Sequence, residues 1–454
     1  EAIVPHSKKK LSHNIIFYFC IISLIAAINY SFPLLPQNLI LYGNFVRVNT
    51  MTMMINIAML IGMLISVISS KDYLEAEGIN YGEYYSLLFL SLLGMMMLVS
   101  ANDLIILFIG LEIMSLCFYI LAGFMRKRVE SNESSLKYFL LGAFFTGFLL
   151  MGIAFIYGFS GSTNYIFFNN FRNQKDTFYI LGLIFVFIAF IFKTGSFPLQ
   201  MWIPDVYQGA PTVVTGMMSS VGKTAAFGAL ITYFSVFDFK TVPLLIAVIA
   251  ILTMLYGNVV ALMQSNIKRL LAYSSIAHAG YILIGFILIN PDSIHAIVFY
   301  LIAYILMQLG AFIIIGTVES KADSLENKSL INDIESYKGL GKTNPGIASL
   351  LSIFLFSLAG IPPFAGFWGK YYIFLSAIQN NYIWVAIVGI LLSLIGVYYY
   401  IKIILYMWFY EPVAGTIPKT KSDFALTAAI IAVTGIFAFG IYPDLILRYL
   451  RTIF

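Results

Sequence analysis

Five lysines of this sequence sit inside apolar runs, where a charge is costly: Lys137, Lys193, Lys223, Lys370 and Lys402. One acid, Glu112, lies comparably deep, in NDLIILFIGLEIMSLCFYILAGF. It stands about nine residues, or roughly 14 Å at 1.5 Å per residue, from the start of that run. An amine held out of water binds its proton less firmly, and a carboxylate brought beside it strengthens the binding again. Such a pair can take up and release protons. Arginine cannot do this, because it stays protonated. The bland alternative is a set of static helix–helix ion pairs, but one acid cannot pair with Lys193, Lys223 and Lys370 together. Lys402, in VYYYIKIILYMWF, lies near a run end, where its long stem can reach the interface. Lys137 stands at the start of its run and is an intermediate case. His278, in KRLLAYSSIAHAGYILIGF, adds an imidazole among Tyr273, Ser274, Ser275 and Tyr281 that could relay protons through hydroxyls and water.

Other chemistries find no support. Ser220-Val221-Gly222-Lys223-Thr224 imitates the tail of a phosphate-binding loop. Five residues separate Gly216 from Gly222 where four are required, and no strand precedes them. Cys20 and Cys117 stand alone in apolar runs and are expected to be buried thiols. The four histidines show no metal-ligand spacing.

The elements that must position these groups follow from composition. Of 454 residues, 60% are apolar and 10% charged, with a mean hydropathy of +0.91. A soluble domain carries roughly 25% charge. The net charge of +5 is too small to suggest a polyanion partner, so nucleic acid is excluded. Apolar runs predict an all-α polytopic membrane protein with thirteen helices, at 13–30, 51–70, 84–100, 103–124, 136–158, 178–197, 213–236, 242–263, 270–289, 293–318, 348–379, 382–409 and 424–441. The runs are too long for barrel strands. The longest polar link, 319–345, reads as an exposed connector.

Loop charge sets orientation. One side carries fifteen basic residues: Lys8, Lys9, Lys10, Lys71, Arg126, Lys127, Arg128, Lys268, Arg269, Lys321, Lys328, Lys338, Lys342, Lys419 and Lys421. The other carries six: Arg47, Arg172, Lys175, Lys240, Arg448 and Arg451. The first side is expected to face the cytoplasm or matrix. Pro198 and the Pro362-Pro363 pair interrupt two runs. Grouped in fives, the runs form one set over 84–236 and a second over 237–410. Residues 1–83 precede them and 411–454 follow. The interrupted run is fourth in each set. An odd number of crossings makes the second set enter from the opposite side. That is the layout of an inverted repeat with discontinuous helices, a pointer to an ion pathway. The opening EAIVPHSKKK reads as the tail of a further helix.

Several segments resemble a known family. GLEIMSLCFYILAGF, SLKYFLLGAFFTGFLLMGIAFIYGFSGST, FPLQMWIPDVYQGAPTVVTGMMSSVGKTAAF, NIKRLLAYSSIAHAGY and LSLAGIPPFAGFWGKYYIF are similar to the subunit N (mitochondrial subunit 2) family of proton-pumping NADH:quinone oxidoreductase, respiratory complex I. The resemblance implies fourteen helices, two inverted five-helix bundles and a charged axis halfway across the membrane. Glu112 matches the glutamate that this family pairs with a lysine, and Lys193 matches that lysine. Lys223 matches the central lysine, Lys370 the lysine near the exit and Lys137 a lysine near the entry. Gln200 stands where bacterial members often carry histidine. The resemblance also implies that NADH, flavin, iron–sulfur clusters and quinone belong to other subunits, with no cofactor in this chain. Its implied partners are the other membrane-arm subunits, including a neighbouring antiporter-like subunit and the small subunit K, together with lipid. The implied location is a bacterial plasma membrane or the mitochondrial inner membrane. The alternative, an Mrp-type cation/proton antiporter subunit, is disfavoured by PDVYQGAP.

Overall fold

The computed structural model describes residues 9–168, 176–237, 242–320, 332–412 and 422–451. Of the loop charges counted above, Lys8, Arg172, Lys175, Lys240, Lys321, Lys328, Lys419 and Lys421 lie outside the described residues.

After α1 (Lys9–Ser31), a small antiparallel hairpin of β1 (Leu39–Leu41) and β2 (Val46–Val48) leads into α2 (Thr50–Ala76). Next come α3 (Gly82–Val99), α4 (Leu104–Ala122), α5 (Val129–Ser160), the single turn α6 (Tyr165–Phe168) and α7 (Thr177–Thr194). The short α8 (Trp202–Gly209) precedes α9 (Thr212–Met217), which passes through a π turn, Met218–Gly222, into α10 (Lys223–Val236). They are followed by α11 (Pro243–Leu262), α12 (Ile267–Ile284), α13 (Pro291–Ser320) and the turn α14 (Leu340–Thr343). The chain ends with α15 (Pro345–Ala359), α16 (Ala365–Gln379), α17 (Ile383–Phe409), α18 (Asp423–Ile441) and α19 (Asp444–Arg451). Every apolar run read from the sequence lies mostly on helix; 348–379 is split between α15 and α16, and 270–289 extends past the end of α12. Ten helices among the described residues are long and apolar enough to cross a membrane.

Local sequence explains the starts and stops. Asp103, Asp176 and Asn266 accept hydrogen bonds from backbone N–H groups in the first turns of α4, α7 and α12. Asn49 and Thr52 close a reciprocal capping box on α2. Both interrupted spans stop at a glycine in the left-handed region, Gly195 (φ 71°) and Gly360 (φ 84°), before the proline.

Hydrogen bonds sort the loops into two ends. At one, Arg47 N–H donates to Ser100, Asn102 N–H to Phe45 and Leu104 N–H to Thr163. At the other, Arg128 pairs with Glu77 and Glu319, and Asp205 with Lys137 and Arg269. The break between α7 and α8 is traversed toward this lysine-rich end. The break between α15 and α16 is traversed away from it, since α16 finishes at Asn380, bonded to Asn290. The two broken helices therefore run in opposite senses. The bundle centres on α13, which packs against α2, α9, α15, α16 and α18 and is almost wholly buried.

The described part of the 319–345 link is only partly the exposed connector expected from its polarity: Glu335, Lys342 and Pro345 are exposed, but other residues are not. Residues 321–331 lie outside the described set, but Glu319, Ile334, Tyr337 and Leu340 are buried. Ile334 N–H bonds to Ser265, and Gly339 N–H bonds to Tyr406, so residues 332–345 are folded against the end of the bundle.

Candidate functional site

Lys193 sits in the last turn of α7 and is 7% exposed. Its ammonium donates to Ser115 Oγ at 2.7 Å and Tyr119 Oη at 3.3 Å. Ser115 and Tyr119 are four residues apart on α4, so helical periodicity puts both hydroxyls on one face. Glu112 lies one turn before Ser115 on that helix. It is only half-buried, and its Oε1 accepts from Thr146 Oγ1 at 2.6 Å. The expected Glu112–Lys193 pairing is thus not a salt bridge; among the described residues the lysine is held by hydroxyls. The rings of Tyr119 and Tyr138 lie 5.4 and 5.6 Å from the ammonium, a cation–π arrangement that supports a charge in a dry site. Trp202, the first residue of α8, stacks on Tyr138 at 4.5 Å and donates its indole N–H to the Phe192 carbonyl. That carbonyl, in the last turn of α7, also accepts from the Gly195 N–H.

Lys223 follows the π turn directly. Its ammonium donates to Ser275 Oγ at 2.6 Å and to the Ser275 carbonyl at 2.7 Å. Tyr304 donates to the same Oγ at 3.0 Å. One turn along α12, His278 has Nδ1 at 2.7 Å from Tyr300 Oη and Nε2 at 3.2 Å from Tyr400 Oη. Tyr400 also bonds to Ser274. The structure thus draws Lys223 and His278 into one hydroxyl-lined group on α10, α12, α13 and α17. Phe118, one turn beyond Ser115 on α4, packs against Gly222. The π turn is not visible in the sequence. Such turns favour functional positions, because the extra residue re-aims the side chain after it.

Lys370, 7% exposed, caps the broken end of α15 by donating to the carbonyls of Leu358 at 3.1 Å and Ala359 at 2.8 Å. A cation there complements the negative end of the helix dipole. Its ammonium lies 5.0 Å from the ring of Tyr281.

Lys137 stands apart from this set. Its helix starts at Val129, earlier than its apolar run, so Lys137 lies about two turns in, still near the lysine-rich end. It is half-exposed and pairs at 2.7 Å with both Glu133 and Asp205. Lys402 is also only partly buried. Gln200 is buried at the first break.

Counting charges by loop missed other groups. Glu319 is 4% exposed at the end of α13, bonded to Arg128, Thr212 and Tyr73. Lys268, read as a loop charge, is 3% exposed and donates to the Ala210 carbonyl. Lys71 is buried against the rings of Phe17 and Phe424. The available signal was helical phase: Glu319 follows Tyr304 by fifteen residues, on the same face of α13. Cys20 and Cys117 are buried, as expected.

A polytopic bundle with two broken helices and a string of buried lysines defines a class of ion-translocating membrane protein. The family model described as NADH:quinone oxidoreductase/Mrp antiporter, TM, matches residues 101–396, and the chain belongs to this family. It is 40% identical over 421 residues to the NADH-quinone oxidoreductase subunit N of Trichlorobacter lovleyi, spanning 90% of this chain and 84% of that one. Among solved structures, a chain of respiratory complex I from Thermus thermophilus matches with a TM-score of 0.81 and 29% identity, over 96% of this chain and 94% of that one. A chain of the Mrp complex from Dietzia sp. shares the fold at a TM-score of 0.85 and 21% identity, over 97% and 92%.

Proposed function

We propose that this chain is a proton-translocating membrane-arm subunit of an NADH:quinone oxidoreductase, moving protons along its buried lysines while electron transfer to quinone proceeds elsewhere in the assembly. The observation that carries this reading is the company the lysines keep. Lys193, Lys223 and Lys370 are buried, and among the described residues each is held by hydroxyls or carbonyls and none by an ion-paired carboxylate. A static ion pair would fix the charge. Hydroxyls and carbonyls can solvate an ammonium, and a hydroxyl can also donate to the neutral amine.

In this reading Glu112 modulates Lys193, the proton passes to Lys223 beside His278, and Lys370 delivers it to the lysine-poor end. Lys137 with Asp205 and Arg269 stands at the entry side. The partners are other membrane-arm subunits, including an antiporter-like neighbour and a small subunit of the K type. The half-buried carboxylate of Glu112 suits a subunit contact. Bacterial relatives support a plasma-membrane location.

The test is Lys223→Ala in the assembled oxidoreductase, reading protons moved per NADH oxidised. Undiminished pumping overturns the mechanism, and normal assembly with lost pumping rejects a purely structural scaffold. The Mrp-type alternative shares the fold. Co-purification with an NADH-oxidising partner separates the two.

A further inference from the structure

Gln308 lies in the middle of α13 and is 0% exposed, yet neither its amide nitrogen nor its amide oxygen has a hydrogen-bond partner in the chain. An unsatisfied amide in a core is costly and calls for an explanation. Thr224 Oγ1, beside Lys223, is likewise buried and without a partner.

The position of Gln308 is fixed by its neighbours. Helix α13 runs antiparallel to the α9–α10 segment. A Cβ on Gly316 would meet Thr212, one on Gly216 would meet Leu309 and Phe312, and one on Gly62 would meet both Val221 and Ile305. Gln308 therefore lies level with the π turn Met218–Gly222. By helical phase it shares a face with Tyr304, one turn away, whose hydroxyl bonds to the serine that holds Lys223. Glu319 is three turns the other way on that face, about 16 Å at 1.5 Å per residue. Along α9 and α10, Thr212, Thr215, Ser219 and Lys223 recur every three or four residues; Thr215 donates to the Tyr207 carbonyl and Ser219 to the Gly216 carbonyl, and both oxygens remain able to accept from water. Thr212 bonds to Glu319 at the foot of this series.

We propose that Gln308 and the π turn hold a short file of water that carries protons from the Glu319–Arg128 group at the lysine-rich end to Lys223. Glu319 takes a proton from the aqueous lysine-rich end and hands it to the first water, and each water accepts a proton on one side and releases one on the other. Lys223, neutral after passing its own proton on, gains the proton, and the amide of Gln308 neither gains nor loses one but fixes the waters. A buried water needs two to four polar partners, and the amide supplies both a donor and an acceptor. The proposal rests on the reading of this chain as a proton carrier.

The experiment compares Gln308→Met and Gln308→Asn with Lys223→Ala in membrane vesicles bearing the assembled oxidoreductase. It reads assembled complex and the initial rate of NADH-driven acidification with a pH-sensitive dye. Gln308→Met keeps the volume but loses both polar atoms. It is expected to assemble at the wild-type level or above while acidification falls about tenfold, the rate equivalent of one lost hydrogen bond. Gln308→Asn is expected to keep most of the rate. Wild-type acidification by Gln308→Met, or its failure to assemble, overturns the proposal. If Lys223→Ala also acidifies at the wild-type rate, the underlying proton-carrier reading falls instead.

Discussion

Replacing Ser275 by alanine tests the Lys223 group with a single atom. Ser275 Oγ accepts from the ammonium at 2.6 Å and from Tyr304 at 3.0 Å, while the Ser275 carbonyl keeps its own bond to Lys223 at 2.7 Å. The substitution therefore removes one of two bonds to the ammonium and leaves the tyrosine hydroxyl without its acceptor in a buried site. A hydrogen bond to a charged group contributes about 1.5–3 kcal/mol. Each 1.36 kcal/mol on a rate-limiting barrier is about tenfold in rate. Because the carbonyl remains, the lower end applies, and proton transfer through Lys223 is expected to slow about tenfold. The backbone of α12 is untouched, so assembly is expected to hold. The assay is the initial rate of NADH-driven proton uptake in vesicles, normalised to assembled complex. Ser91→Ala is the control: it removes an equally buried hydroxyl that donates only to the Leu88 carbonyl on its own helix. Equal rates for the wild type, Ser91→Ala and Ser275→Ala would refute the claim that the serine hydroxyl serves the lysine.

Gly142→Ala would place a Cβ 1.9 Å from Tyr119 Oη, so that ring must leave Lys193; slowed pumping in a complex that still assembles is the expected result. Arg128→Met leaves the buried Glu319 without its guanidinium partner, and breaking such a pair costs about 3–5 kcal/mol in the interior, less here because Arg128 is partly exposed. The expected loss of thermal stability in the solubilised complex should be recovered when Glu319→Gln is added, and failure of that rescue counts against the ion pair. Lys137→Ala breaks half-exposed pairs worth at most about 1 kcal/mol each, so the melting temperature should barely move. A fall in pumping would then report proton handling rather than folding.

The helical bundle was legible in the sequence because each element announces itself locally. Apolar run length sets a span, the prolines with their glycines set the breaks, and Asp103, Asp176 and Asn266 set helix starts. The buried lysines were legible for the same reason, since Lys193, Lys223 and Lys370 stand amid apolar neighbours. Their partners were not. Ser115, Tyr119, Ser275 and Tyr304 are ordinary polar residues of helices, and nothing local says which face meets which ammonium. Charge alone pointed to Glu112 as the carboxylate near Lys193; Glu112 lies one turn from Ser115 on α4, and the direct bonds to the ammonium come from hydroxyls. Glu319 and Lys268 looked like loop charges because they stand at run ends, and Lys137 was an intermediate case because its run begins beside it. Sequence by itself determined which segments are helical and where the two spans break, because apolar run length and proline act within a few positions. Only the tertiary structure decided which charges are dry and what solvates them, because burial and hydrogen bonding depend on segments packed together from far along the chain.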